Sequence, residues 1–346
     1  MTLTQQQYYD RQVASWLMLC AVVIFGMIIL GGMTRLTGSG LSMVEWKPLM
    51  GIIPPLSEAA WLETFDKYKQ YPEYLQVNKG MDLHDFKYIF MYEYLHRVLG
   101  RFIGMLFFFP MLYFAIKGRV RPGYMRKLIV LFFLGGFQGL LGWYMVKSGL
   151  VDNPRVSQYR LTSHLGVAVA LYAYMLWLVF DLLPSISTSL ERTEKGRYAR
   201  GSLALVALVF LMILSGGLVA GTDAGVIYPT WPLMGEGLIP PGLYSMTPAW
   251  LSIFEDMTTI QFNHRLFAYL LVVLLSSFAV MVWRNTSESR ARLGAVLLVL
   301  MLCVQVMLGI STLLLHVPVL VATAHQGGAV LLLSAMVFLS YTQQSR

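Results

Sequence analysis

The chain has 346 residues, of which 57% are hydrophobic and 13% are charged. A soluble domain usually carries about 25% charged residues, so this composition predicts an integral membrane protein. The net charge of +8 does not indicate a nucleic-acid partner, because the Lys and Arg residues cluster in short loops between apolar runs, where they encode membrane topology. Both cysteines lie inside apolar runs, which argues against a disulfide framework or a thiolate metal site.

The first apolar run extends from Gln12 to Thr34 and contains no charged residue. It is longer than a typical signal-peptide core and can cross a hydrocarbon layer of about 30 Å, so we predict a first transmembrane helix. No Arg-rich and Ser-rich transit peptide precedes it, so we expect a bacterial plasma membrane rather than a mitochondrial one. Further spans are predicted at about 96–116, 126–146, 161–183, 199–221, 263–283, 293–315 and 319–341.

The distribution of basic residues predicts the orientation of these eight spans. The loops near 117–127, 184–200 and 284–292 are basic, whereas 222–262 contains no Lys or Arg. By the positive-inside rule, the basic loops and both termini are expected in the cytoplasm. The long segment 34–92 is then external, and we expect it to form an ordered cap with one or two short helices.

An internal repeat organises the chain, because motifs of the first half recur in the same order in the second half. Each half has an even number of spans, so the halves should have the same orientation in the membrane. We therefore predict an all-α membrane protein of two parallel four-helix bundles, residues 1–190 and 191–346. The matched motifs are Gly31-Gly32 with Gly216-Gly217, Trp46 with Trp231, Pro48-Leu49-Met50-Gly51 with Pro232-Leu233-Met234-Gly235, Glu93-Tyr94-Leu95-His96-Arg97 with Gln261-Phe262-Asn263-His264-Arg265, Gln138 to Gly142 with Gln305 to Gly309, and His164-Leu165-Gly166 with His325-Gln326-Gly327.

Four histidines occupy matched positions of the repeat and are the candidate metal ligands: His96, His164, His264 and His325. Each is predicted near the outer start of an even-numbered span, so all four imidazoles should lie at a similar depth. Neighbouring helices of a bundle are about 8–10 Å apart, and two facing imidazoles can bind one haem iron from opposite sides. Zinc usually takes three or four converging ligands, so one pair in each half favours haem.

The other candidate residues have both a functional and a structural interpretation. Arg97 and Arg265 directly follow two of the matched histidines and could bind haem propionates, or extend to the membrane surface as long cationic side chains do. His84 and His316 have no partner in the repeat, and we expect a solvated loop residue and a residue at a helix end.

Together, these motifs resemble those of the haem A synthase family. The resemblance rests on Gly31 to Ser42, Glu93 to Arg97, Gln138 to Trp143 and Gln261 to Arg265, and covers nearly the whole chain. Some bacterial members carry a cysteine pair in the first external loop. Segment 34–92 has none here, so the chain is closer to the alphaproteobacterial and mitochondrial branch.

The resemblance implies eight transmembrane helices in two similar halves and oxidation of a methyl group of haem O to the formyl group of haem A. It implies that His96 and His164 hold the substrate haem in the first half, and that His264 and His325 hold a haem b in the second. Haem O synthase and terminal-oxidase assembly factors are the expected partners, with an electron acceptor of unknown identity. The predicted orientation of the spans places the haem sites towards the periplasmic side.

One difference between the halves predicts where the chemistry occurs. Glu93 precedes His96 by three residues, and the amide Gln261 occupies the equivalent position before His264. A carboxylate can accept a proton or stabilise positive charge on a methyl carbon, and an amide does both less well. We therefore predict that the first half is catalytic and the second transfers electrons. The alternative is a dihaem b-type membrane cytochrome for electron transfer, for example in quinol oxidation.

Overall fold

The computed structural model describes residues 3–45, 53–150, 154–183 and 198–344. Within these ranges the protein is helical apart from turns and loops, without a β-strand, which confirms the predicted all-α class. Short 3-10 turns lie at Ala224–Val226 and Ala249–Leu251. The helices are α1 (Leu3–Leu36), α2 (Glu58–Tyr68), α3 (Pro72–Gln76), α4 (Leu83–Ile116), α5 (Tyr124–Gly149), α6 (Gln158–Leu182), α7 (Ala199–Thr222), α8 (Ser252–Glu255), α9 (Met257–Asn285), α10 (Ser289–Leu314) and α11 (Val319–Thr342).

Eight of the described helices are long and apolar enough to cross a membrane, which confirms the predicted number of spans. They are α1, α4, α5, α6, α7, α9, α10 and α11. The parallel arrangement of the halves and the cytoplasmic location of the termini stay predictions. The predicted boundary at 190/191 lies in 184–197, outside the described residues.

Helix α4 begins earlier than the hydropathy pattern predicts. The predicted span starts at residue 96, whereas the helix starts at Leu83, where the Asp82 side chain accepts a hydrogen bond from the Asp85 amide. The first turns carry Asp85 and Lys87 and are therefore not apolar, although they are helical. His96 consequently lies well inside a continuous helix, and the prediction that it begins one was wrong.

An inner group of four helices contains residues from both halves of the chain. The apolar segments of α6 and α11 are 56% and 44% buried, compared with 6% in α5 and 11% in α4. Helices α1, α6, α7 and α11 form this inner group, and the pairs α4–α5 and α9–α10 lie outside it. The Tyr172 hydroxyl on α6 lies 2.9 Å from the Ser334 hydroxyl on α11, so a polar contact joins the halves within the apolar core.

The segment before α4 forms an ordered cap with two short helices, as predicted, in the residues that the structure describes. Its α2 and α3 pack on the first turns of α4 through a cluster of aromatic rings. The ring of Phe86 lies 4.9 Å from Phe65 and 5.1 Å from Tyr68, and Trp61 lies 5.0 Å from Phe90. The Trp46 and Pro48-Leu49-Met50-Gly51 parts of the repeat lie outside the described residues.

The cap contains a buried carboxyl group, Glu73, whose side chain accepts a hydrogen bond of 3.1 Å from the Tyr68 hydroxyl. Burial raises the pKa of Glu73 to about 7, the Tyr68 hydrogen bond lowers this pKa, and the negative charge of Glu93 raises it. Glu73 is therefore charged in the unfolded chain at a lower pH than in the folded cap.

We expect the stability of the cap to fall as the pH rises from about 4.5 to 7, because the folded cap then binds more protons than the unfolded chain. The loss should be at most about 3 kcal/mol, since one pKa unit corresponds to about 1.4 kcal/mol. Protection factors of the amides in α2 and α3, which correct exchange rates for the intrinsic effect of pH, would measure the loss between pH 5 and pH 8. Glu73→Gln protein should show equal protection factors at both pH values, and equal protection factors in the unmodified protein would contradict the expectation.

Candidate functional site

The four matched histidines lie on four different helices: His96 on α4, His164 on α6, His264 on α9 and His325 on α11. His96 and His164 interact electrostatically, as do His264 and His325, so the imidazoles of each half lie near one another. The structure thus brings together the two pairs that the repeat predicts.

Each imidazole lies against a glycine of the helix that precedes its own among the membrane spans. A side chain larger than hydrogen at these glycines would occupy the position of the ring. A Cβ atom added at Gly31 would lie 3.0 Å from Cε1 of His96, one at Gly142 2.9 Å from His164, one at Gly216 3.4 Å from His264, and one at Gly309 2.8 Å from His325.

The second pair of histidines has hydrogen-bond partners that the first pair lacks. Nδ1 of His264 lies 3.0 Å from the Ser215 hydroxyl, and Nδ1 of His325 lies 3.1 Å from Nε2 of Gln305. The Nδ1 atoms of His96 and His164 are buried without a hydrogen-bond partner in the described structure. A hydrogen-bond partner on Nδ1 restricts the orientation of the imidazole ring, so the second pair is the more firmly preorganised.

A glutamine holds the backbone beside one histidine in each half. Nε2 of Gln138 donates to the carbonyl of His164 at 2.8 Å, and Nε2 of Gln305 donates to the carbonyl of His325 at 3.0 Å. These bonds tie α5 to α6 and α10 to α11 at the level of the imidazole. The two glutamines that the repeat matches therefore have the same structural role.

Glu93 and Arg97 anchor the loop that follows α1. The Glu93 carboxylate, 3% exposed, accepts hydrogen bonds from the Ser42 hydroxyl at 2.8 Å and the Met43 amide at 2.7 Å, and pairs with Arg97 at 2.5 Å. Arg97 also donates to the carbonyls of Met43 and Glu45. The catalytic carboxylate that the sequence predicts is therefore a charge held rigidly at three points.

Gln261 and Arg265 anchor the equivalent loop after α7. Gln261 is also 3% exposed and donates to the carbonyls of Gly225 and Tyr228, and Arg265 donates to those of Tyr228 and Leu233. Nε of Arg265 is buried and has no hydrogen-bond partner in the described structure. In both halves, an arginine and the residue four positions before it hold the loop. Only in the first half is that residue a carboxylate that balances the charge of the arginine.

The residues present fit a haem in each half. Imidazole is a common axial ligand of haem iron, each half supplies two, and the glycines leave room beside each ring. Buried polar atoms normally have partners, and the Nδ1 atoms of His96 and His164 have none in the described structure, so both rings have unused capacity for a hydrogen bond or a ligand.

The two remaining histidines are both exposed. The His84 side chain is 91% exposed, as predicted, but it lies beside Asp85 in the first turn of α4 and not in a loop. His316 is exposed between α10 and α11, with a positive φ of 62°. Sequence reasoning missed Ser42 and Ser215, although Ser215 stands next to Gly216 where the first half has Leu30.

Comparison with known proteins agrees with the resemblance seen in the motifs. The model of a family described as cytochrome oxidase assembly protein matches residues 14–337. The chain is 50% identical to the haem A synthase of Nitrosospira multiformis, over 98% of this chain and 95% of that protein. It is 49% identical to the haem A synthase of Nitrosomonas eutropha, over 93% and 91% of the two chains. The chain therefore belongs to the haem A synthase family of cytochrome oxidase assembly proteins.

Proposed function

We propose that this protein oxidises a methyl group of haem O to the formyl group of haem A, with His96 and His164 holding the substrate haem and His264 and His325 holding a haem b. The observation that carries the division is the difference in ring partners. A resident cofactor benefits from ligands fixed by Ser215 and Gln305, whereas a haem that must enter and leave suits ligands without such partners.

Glu93 is the proposed catalytic residue. Its carboxylate is held by Ser42, Met43 and Arg97, so it presents negative charge at a fixed position without reorganisation. Such preorganised charge stabilises positive charge that develops at a reacting carbon, and the same carboxylate could accept a proton released by the methyl group. The three donors favour the electrostatic role over proton transfer.

Arg97 and Arg265 supply positive charge near the ligands, and both act on the adjacent histidine electrostatically. We assign them to the neutralisation of haem propionates as well as to loop anchoring. Arg265 retains a buried Nε donor for this purpose. The haem b would supply the redox chemistry that removes electrons from the first half, and an unidentified acceptor would take them onwards.

We propose that the protein lies in a bacterial plasma membrane with the haem pairs towards the periplasm, and the charge distribution of the loops supports this orientation. The cap of α2 and α3 then faces the periplasm. The same charge rule would also suit a dihaem cytochrome, but Glu93 and the difference in ring partners favour the synthase. Haem O synthase and oxidase assembly factors are the expected partners.

Removal of one ligand from each pair tests the division between the halves. We expect His96→Ala protein to lose haem O and haem A and to keep haem B, and His264→Ala protein to lose haem B, because each would have only one axial ligand left. Mass spectrometry of pigment extracted from the purified proteins would identify the haems. Two equivalents of haem B in the unmodified protein, with no haem O or haem A, would support the cytochrome instead.

Replacement of Glu93 by glutamine tests the catalytic assignment. We expect Glu93→Gln to lower haem A production by about a hundredfold, the loss typical of removing one preorganised catalytic group, with haem content retained. The glutamine oxygen can still accept hydrogen bonds from Ser42 and Met43, as Oε2 of Glu93 does, so the loop should stay in place. Glu58→Gln, which removes an exposed carboxylate at the start of α2, is the control and should leave production within about twofold. Unchanged haem A production by Glu93→Gln protein would contradict the role.

The contact between Gly309 and His325 gives a test of haem binding that is independent of activity. A methyl group at Gly309 would lie 2.8 Å from the ring, so Gly309→Ala should displace the imidazole and reduce haem B occupancy at least tenfold. Gly135→Ala on α5 is the control, because nothing lies within 4 Å of its added Cβ. Pigment per protein, with circular dichroism for helix content, would measure the effect. Equal occupancy in both variants would show that the ring position is unimportant.

A further inference from the structure

A cleft lies between the start of α1 and the end of α4, and none of the six histidines lines it. Its volume is about 520 Å³. It is lined by Tyr8, Arg11, Gln12, Ser15, Tyr113, Phe114 and Arg119. The lining includes two guanidinium groups and no carboxylate, so the cleft carries a local positive charge that none of its own residues balances.

We propose that this cleft binds the phosphate headgroup of an anionic phospholipid. Arginine forms paired hydrogen bonds with phosphate oxygens, and basic clefts between transmembrane helices suit anionic lipid headgroups. The basic loop at 117–127 predicts that this end of the bundle lies in the cytoplasm, where anionic lipids would meet it.

The side chain of Arg119 is ordered by contacts with neighbouring residues. Its guanidinium lies 5.0 Å from the ring centre of Tyr9 and 5.3 Å from that of Tyr113, and it donates to the Tyr113 hydroxyl at 2.9 Å. It also lies 3.4 Å from the Gln12 side-chain oxygen. A side chain that is already ordered loses little conformational entropy when it binds.

Arg11 provides the second charge. Its side chain is exposed, and no described residue forms an ion pair or hydrogen bond with it. The neighbouring Asp10 is 2% exposed and is engaged by Gln6 at 2.8 Å and Arg121 at 3.5 Å, so its carboxylate does not neutralise Arg11. A phosphate would therefore meet one ordered and one unpaired arginine.

Apolar side chains continue from the cleft along the same two helices. On α1, Ser15 is followed at helical spacing by Leu19 and Val22, which are 50% and 58% exposed, and on α4 Phe109 is 61% exposed. These side chains form a lipid-facing surface directly beside the cleft. A phospholipid headgroup can therefore reach the cleft without leaving the bilayer, which favours a lipid as the ligand.

The test compares lipid binding by the complete protein and by two variants that lose the same charge. Arg11→Gln/Arg119→Gln removes both cleft arginines. Arg200→Gln/Arg284→Gln removes two exposed arginines at the start of α7 and the end of α9, which the span order places at the same end of the bundle. Native mass spectrometry with added phosphatidylglycerol, phosphatidylcholine or inorganic phosphate would measure binding.

We expect phosphatidylglycerol to bind the cleft variant at least about tenfold more weakly than the unmodified protein, because each lost hydrogen bond to a charged group lowers the affinity about tenfold or more. Its affinity for the control variant should be unchanged. Equal losses in both variants, or no loss, would overturn the proposal, as would competition by inorganic phosphate with no preference for the lipid. Two milder variants, Arg119→Lys and the single Arg11→Gln, control for misfolding of the double variant. Intermediate lipid affinity of either one, with normal haem content, supports the site.

Discussion

The contact between an imidazole and a glycine on the adjacent helix is the constraint on which the rest of the structure depends. It occurs four times, and each time the glycine belongs to the span that precedes the histidine. The membrane-spanning part is therefore built from four helical hairpins, each with a glycine on its first helix and a histidine on its second. Two such hairpins place two imidazoles near each other in each half, and the four hairpins together provide two imidazole pairs.

The rotation of each helix about its own axis could not be predicted from the sequence. The repeat predicted the four histidines and contained the four glycines, but it could not predict that each glycine faces a histidine, because spacing along a chain does not set the rotation of one helix against another. The start of α4 was missed for a related reason. Hydropathy predicts the part of a helix that lies in lipid. The first turns of α4 pack against the aromatic cap instead, so they need not be uniformly apolar.

The segment between α1 and α4 was predictable as an ordered cap, whereas its attachment to α4 was not. Ser42 contacts Glu93 across 51 positions in the chain, and nothing in the local pattern of either residue predicts this hydrogen bond. In the second half, the same attachment uses backbone carbonyls as acceptors for Gln261. An acidic residue that accepts and an amide that donates can thus fill one structural position, because the loops present opposite groups to them.

This exchange also changes the charge of the two halves. Arg97 is balanced by Glu93, whereas Arg265 lies beside neutral Gln261 in an otherwise similar anchor. Charge interactions are strong in a poorly solvated interior, and the carboxylate that balances the arginine of the first anchor has no counterpart in the second. An uncompensated positive charge favours the reduced, more negative state of a redox group held near it. Under the proposed function, the exchange that supplies a carboxylate to the first half would therefore also make the second half the better electron acceptor.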